Sequence, residues 1–286
     1  MEWLERLNMA VDHIEQNLAG DIELERLARI ACCSSFHFQR MFSYIAGMPL
    51  SEYIRRRRMS AAAFGLQQGA RVIDLALTYG YDSPTAFSRA FRGVHGVSPS
   101  EARRRGVPLK AWPRISFRIT IKGDTEMNYR IEEKEAFRIV GAKAHFGMSV
   151  EEGFAQVPQF WAQTVQSGRA QTICALPAKE PCGLLGVSTC MNGHDFDYYI
   201  AVATDAPVPE GMAAYTVPAG TWAMFECIGL MPQAIQQLQT RIVSEWLPSS
   251  GYEYADAPDI EVYPEGNTQA ADYCCEVWLP VREAQK

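Results

Sequence analysis

The chain has 286 residues, 48% hydrophobic and 21% charged, an ordinary globular mixture long enough for two domains with proper cores. No apolar run approaches the roughly 18 residues a membrane-spanning helix needs, so no membrane partner is expected, and the opening MEWLERLNMAVDHIEQ is an acidic amphipathic helix rather than a secretory leader. The net charge of −6 hides an asymmetry: residues 1–110 hold 15 Lys and Arg against 11 Asp and Glu, whereas residues 111–286 hold 12 against 22. One half suits a polyanion and the other would repel it, which argues for two jobs in two domains. Eight cysteines include the adjacent pairs Cys32–Cys33 and Cys274–Cys275 and no C-x-x-C. That is neither a zinc spacing nor a disulfide framework, and it predicts reduced thiols, no metal and a cytoplasmic protein.

Helical periodicity runs to about residue 105. In DIELERLARIACC, Ile22, Leu24, Leu27, Ala28 and Ala31 share one face of a short helix behind the Asp21 cap. Ser34 or Ser35 caps the next helix. Its inner stripe is Phe38, Met41, Phe42 and Ile45, and its outer stripe is Phe36, Gln39, Arg40 and Ser43. Two short helices around a tight turn, the second with a polar outer stripe, make a helix-turn-helix. The unit then recurs at an offset of 49 residues, SSFHFQRMF being echoed by SPTAFSRAF and GMPLSEYIR by GVSPSEARR. RVIDLALTYGY supplies the second supporting helix, Ser83 caps, Pro84 sits at the first helical position, and Thr85, Ser88, Arg89 and Arg92 face outward. A connecting helix from Leu50, about 18 residues and roughly 27 Å long, sets the copies near the ~34 Å between successive major-groove faces of B-DNA. Four consecutive arginines, Arg55–Arg58, spread around the helix, so they cannot all face DNA and some must bond neighbouring helices.

SSFHFQRMF, IRRRRMSAAA, VIDLALTYGYDSPTAFSRAF and GVSPSEARR resemble the AraC/XylS family of transcription regulators over about residues 3–106. That resemblance implies binding to double-stranded DNA, with base or phosphate contacts from Phe36, Gln39 and Arg40 on the first helix and Pro84, Thr85, Ser88 and Arg89 on the second. Ser43 lies on the same outer stripe. The side chains suit such contacts, since Arg bonds the guanine edge bidentately, Gln pairs with adenine, and hydroxyls meet phosphate. Phe36 and Pro84–Thr85 depart from the family pattern, which bears on the bases read.

Beyond RRRGVPLKAWPR the pattern changes to strands. ISFRITIKG alternates Ile115, Phe117, Ile119 and Ile121 with polar residues. MNYRIEEKEAFRIVGAKAHFG continues as strands, VEEGFAQVPQFWAQTVQSG is helical despite Pro158, and CGLLGVSTC and FDYYIAVAT are strands. The order recurs in AAYTVPAGTWAMFECIG, the helix MPQAIQQLQTRIVSEWLPSSG, and the strands DIEVYPEG and DYCCEVWLPV. The expected fold is therefore multidomain: an all-α double helix-turn-helix over 1–108, a connection over 109–126, and an α+β domain with an internal pseudo-repeat over 127–286.

MNYRIEEKEAFRIVG, PAGTWAMFECIG, DIEVYPEG and CCEVWLPV resemble the GyrI-like effector-binding domain, also found in multidrug-sensing regulators of the MerR type. The resemblance implies a cleft between the two halves for bulky aromatic, often cationic, molecules, with a glutamate at its base corresponding to Glu261. The residues agree, since Glu261 and Tyr263 share one face of their strand and a carboxylate among apolar neighbours calls for a cation. Trp161, Tyr198, Trp222 and Phe225 are the candidate walls and Glu276 a secondary carboxylate. The leading reading is a DNA-binding regulator, not an enzyme and without a cofactor, whose C-terminal cleft senses a hydrophobic small molecule and whose further partner is RNA polymerase. Two alternatives remain: a hydrolase in which Glu261 activates water, and a module that sequesters reactive aromatic compounds.

Overall fold

The computed structural model describes residues 3–104, 106–117, 126–146, 150–190 and 195–284. The chain divides into two compact units: residues 1–31 with 46–118, and residues 32–45 with 119–286. Where the sequence predicts one break near residue 108, the contacts therefore group a segment of the N-terminal half, residues 32–45, with the C-terminal strands. The helices of the N-terminal half are α1 (Trp3–Gln16), α2 (Leu24–Ala31), α3 (Ser35–Ala46), α4 (Leu50–Gln67), α5 (Val72–Thr78), α6 (Pro84–His95) and α7 (Pro99–Ala102).

The first unit closes around α4, as the apolar spacing requires. Met59, Ala62, Ala63 and Leu66 of α4 pack with Leu75 and Ala76 of α5 and with Phe87, Phe91 and Val94 of α6. The second helix-turn-helix follows its sequence signals closely. The Ser83 hydroxyl accepts the Ala86 N–H at 3.1 Å, Pro84 opens α6, and Gly96 closes it in the left-handed region at φ +79°. The arginine run of α4 is spent on structure. Arg57 forks onto Glu15 of α1, Nε to Oε1 at 2.8 Å and Nη2 to Oε2 at 2.6 Å, and Arg58 donates to the Leu18 and Gly20 carbonyls. Arg56 lies 3.9 Å over the Trp112 ring. The strand expected over 115–121 is not paired where it is described: the Phe117 N–H and carbonyl bond the Asn8 side chain at 2.9 and 3.0 Å, and Ile115 N–H bonds Tyr53. Side chains of α1 and α4 satisfy this backbone in place of a neighbouring strand; residues 118–121 lie outside the described residues.

The second unit contains β1 (Tyr129–Lys134), β2 (Phe137–Phe146), α8 (Val150–Gln166), α9 (Arg169–Cys174), β3 (Leu184–Cys190), β4 (Phe196–Ala203), β5 (Ala213–Val217) and β6 (Gly220–Ile228). It continues through α10 (Gln233–Arg241), a π-helical turn over Ile242–Trp246, β7 (Tyr252–Tyr254), β8 (Asp259–Tyr263) and β9 (Cys274–Glu283). The sheet runs β1-β6-β9-β8-β3-β4-β2-β5, with β7 on β9, all antiparallel. Exchanging β1 with β5, β2 with β6, β3 with β8 and β4 with β9 reverses that order onto itself, so the predicted β-β-α-β-β repeat is a pseudo-twofold with β3 and β8 at its centre. One face buries Ile139, Val217, Trp222, Met224, Ile260 and Trp278 together. These come from strands far apart in the order, so the sheet curls over its own face. The other face carries the helices.

Candidate functional site

Strand β8 alternates, and its partners fix which side chain goes where. Ile260 and Val262 enter the curled core, so Asp259, Glu261 and Tyr263 point to the helical face. Glu261 pairs across the pseudo-twofold with Gly186 of β3. A Cβ at Gly186 would collide with the Tyr198 hydroxyl and lie 2.9 Å from Glu261 Oε2, so the glycine is the space the carboxylate occupies. Glu261 accepts three hydrogen bonds: Tyr198 hydroxyl at 3.1 Å and Tyr263 hydroxyl at 3.0 Å on Oε2, and Gln239 Nε2 at 2.8 Å on Oε1. Trp161 Nε1 donates to the Tyr198 hydroxyl at 3.1 Å, and its ring meets Tyr263 edge-on at 5.3 Å. Burial pushes the Glu261 carboxyl above its ordinary value, against the pull of the Arg40 charge and the three donors.

Helix α3 supplies the remaining wall. Its residues Phe36 to Phe42 are all buried. Phe36 has no exposed surface and packs among Phe146, Phe196, Tyr198, Ile200 and Ile173. Arg40, 7% exposed, forms an ion pair with Asp259. Its second arm donates to the Tyr44 hydroxyl at 2.9 Å, that hydroxyl donates to Gln239 Oε1 at 2.7 Å, and Gln239 passes the chain to Glu261. Arg40 also sits 5.7 and 5.6 Å from the Phe36 and Tyr44 ring centroids. Burial alone would raise the Asp259 carboxyl; the Arg40 charge and then His37 outweigh it and hold it below its ordinary value. A cavity of about 20 Å³ is left between Arg40, Tyr44, Gln239, Tyr254, Asp259 and Glu261, room for one water-sized group.

The structure thus gathers Glu261, Tyr198 and Trp161 of the predicted ligand residues, and separates three others. Trp222 points to the opposite sheet face, buried in the curled core with its N–H on the Pro258 carbonyl at 3.3 Å. Phe225 shares the face of Glu261 but packs against the Tyr129 ring, tilted at 5.8 Å, and the Trp246 ring, edge-on at 4.9 Å. Glu276 pairs with Val262, hence with the opposite face, and is held by Arg130 at 2.8 and 3.1 Å and by Trp278 Nε1 at 2.7 Å. Sequence reasoning passed over Asp259, Gln239, Tyr44 and Gly186. Asp259 was readable, lying two residues before Glu261 on the same strand face.

The predicted DNA-contacting residues divide just as sharply. On α6, Pro84, Thr85 and Arg89 are exposed and Ser88 half-buried, as the outward stripe requires. On α3, Phe36, Gln39 and Arg40 are buried, and Ser43 is half-buried with its hydroxyl enclosed. The outer stripe of α3 was expected to face solvent; instead Phe36 and Arg40 meet the sheet face of the second unit, because that face offers an aromatic pocket and a carboxylate at the spacing of one helical turn.

Comparison with known proteins matches the two halves of the sequence to different families. Residues 27–105 match a helix-turn-helix domain, and residues 130–281 match the integron-associated effector binding proteins. The right origin-binding protein of Escherichia coli K12 is 27% identical over 94% of this chain and 95% of its own length. The HTH-type transcriptional activator AarP of Providencia stuartii is 46% identical over 30% of this chain, which spans 65% of the AarP sequence. The structure of SAV2435 bound to tetraphenylphosphonium superposes on 55% of this chain and 94% of its own at 23% identity, with a TM-score of 0.51, a shared fold. By the match that covers more than half of its length, the chain belongs to the family of integron-associated effector binding proteins, here carrying an AraC-type helix-turn-helix domain ahead of the effector-binding fold.

Proposed function

We propose that the chain is a sequence-specific DNA-binding transcription regulator whose C-terminal cleft takes a hydrophobic, cationic small molecule, with RNA polymerase as the machinery it acts on. The observation that supports this most directly is Glu261: a carboxylate set among Tyr198, Tyr263 and Trp161 in an effector-binding fold, on the same chain as a recognition helix with Arg89 exposed. A carboxylate in such surroundings favours a bulky cation that brings its own apolar surface, because the charge is matched while little water must be stripped from the ligand. SAV2435 takes a cation of this class, tetraphenylphosphonium.

The reading is tested on two sides. Calorimetric titration of the full chain with tetraphenylphosphonium should give saturable binding that weakens roughly tenfold or more in Glu261→Gln, the loss of a charge partner in a desolvated site. Selection from random duplex DNA at about 150 mM salt should return a consensus sequence; its absence would reject the regulator. A compound chemically converted by the chain but not by Glu261→Gln would instead make the C-terminal unit an enzyme.

A further inference from the structure

Helix α3 occupies the place where that cation would go. We propose that α3 is a tethered occupant of the effector cleft, Phe36 and Arg40 standing for the aromatic body and the charge of an effector, so that effector binding and burial of the helix's outer face exclude one another. The inference rests on the cleft reading above and adds to it the mechanism by which the two functions are joined.

Three observations carry it. The first is chemical mimicry. A planar, delocalised cation lies beside Asp259, acts on Glu261 by its charge, and is flanked by the Phe36 and Tyr44 rings, while Phe36 fills the aromatic pocket beside Tyr198. The second is space. With α3 in place, the space left beside Arg40, Tyr44, Gln239 and Glu261 holds about one water-sized group, far short of a bulky aromatic cation. The third is an imperfect fit. His37 Nε2 and Asp259 Oδ1 face each other at 3.7 Å, and both are buried without a hydrogen bond among the described residues; the buried Ser43 hydroxyl also lacks one. Polar groups left unmatched in a buried contact weaken it, which suits an occupant meant to be displaced. The motif itself does not demand burial, since its copy in α6 leaves Arg89 exposed.

The consequence is a signed coupling. An effector that enters must expel Phe36 and Arg40 and so uncovers the outer stripe of α3. DNA that captures that stripe likewise empties the cleft. Effector and DNA therefore strengthen one another, by the same factor in both directions. If the helix is docked in about 99 of 100 molecules, each ligand alone binds roughly a hundredfold more weakly than to the open form. The favoured effector carries a delocalised cation, guanidinium or amidinium in type, on an aromatic body, because that is the chemistry α3 presents to the two carboxylates.

Hydrogen exchange and titration of the full chain test this with tetraphenylphosphonium as the probe. Amides of residues 36–42 should be protected in the free chain and should lose protection as the cation saturates. Arg40→Met, which removes the internal cation and keeps the volume, should bind the probe roughly tenfold more tightly. Saturable binding with residues 36–42 still protected overturns the tethered occupant and leaves the cleft reading intact. Equal or weaker binding by Arg40→Met does the same. Absence of binding to both the native chain and Arg40→Met overturns the cleft reading, and this inference with it.

Discussion

Helices α3 and α6 begin alike and end in different surroundings. Each is capped by a serine hydroxyl that accepts the N–H three residues on, Ser34 from His37 at 3.2 Å and Ser83 from Ala86 at 3.1 Å. Each is followed by a glycine in the left-handed region, Gly47 at φ +65° and Gly96 at φ +79°. Each buries its two phenylalanines, Phe38 and Phe42 or Phe87 and Phe91. The difference lies on the outer stripe. At the offset of 49, Phe36 answers to Thr85 and Arg40 to Arg89; the first member of each pair is buried and the second exposed. An inner stripe fixes how a helix packs at home, but an outer stripe that combines a large apolar ring with a cation is complementary to more than one partner.

The largest effect should come from Phe36. Phe36→Ala removes a fully buried ring and should cost the docking free energy of α3, about 3 kcal/mol for a helix docked in about 99 of 100 molecules, in urea unfolding of the second unit, whereas Thr85→Ala should stay within ~0.5 kcal/mol. A loss well above that would mean that α3 leaves the sheet only when the sheet itself unfolds. Next in size, Arg40→Met leaves Asp259 buried without its cation and should cost about 3 kcal/mol. Arg89→Met should leave stability unchanged and lower the slope of DNA affinity against salt by about one. Comparable destabilisation by both would erase the distinction between the helices. The caps should behave alike, Ser34→Ala and Ser83→Ala each costing about 1 kcal/mol by thermal unfolding, and a loss confined to one would show that the two starts are less equivalent than their geometry.

The smallest effect concerns acidity. Asp259, held below its ordinary carboxyl value of 3.8, contributes stability that is present above that value and is lost as pH falls through the lowered one. Glu261, pushed above 4.5, works in the opposite sense, its contribution present below 4.5 and lost as pH rises through the raised value. The groups facing this pair are His37, Arg40 and Tyr44 of α3, Gln239 of α10, and Tyr198, Tyr254 and Tyr263 of the strands. Protection of residues 36–42 against exchange should therefore fall in acid below about pH 4, and Asp259→Asn should flatten that dependence.

Much of this architecture was legible in the chain. Apolar periodicity, the serine caps and the 49-residue echo placed α4, α5 and α6, and alternation placed the strands of both half-sheets. Glu261, Tyr198 and Trp161 came together as expected, since side-chain alternation within one strand and aromatic companions of a carboxylate are local facts. Trp222 and Glu276 failed for want of register: their own strands gave the alternation, but which face of the sheet each met was decided by pairing with Pro280 and Val262. Arg40 sits elsewhere than expected for a different reason. Its helix announced a polar outer stripe correctly, yet nothing in that stripe tells whether its partner is a phosphate or Asp259, more than two hundred residues away. The strand predicted from Ile115 was an alternating pattern whose described backbone bonds went to Asn8 and Tyr53 instead of a neighbouring strand.

The exchange of β1 and β5 has a mechanical meaning for the cleft. Each half-sheet lends its first strand to the other's outer edge, β1 lying on β6 and β5 on β2, so the halves are laced together like clasped hands. Prising them apart along β3 and β8 would also tear the lent strands from their hosts, and that resists any jaw-like opening of the sheet. In the proposed cleft, size discrimination would therefore have to come from elements that are not woven in. A guest would meet a rigid floor, and whatever adapts to its shape would be helix.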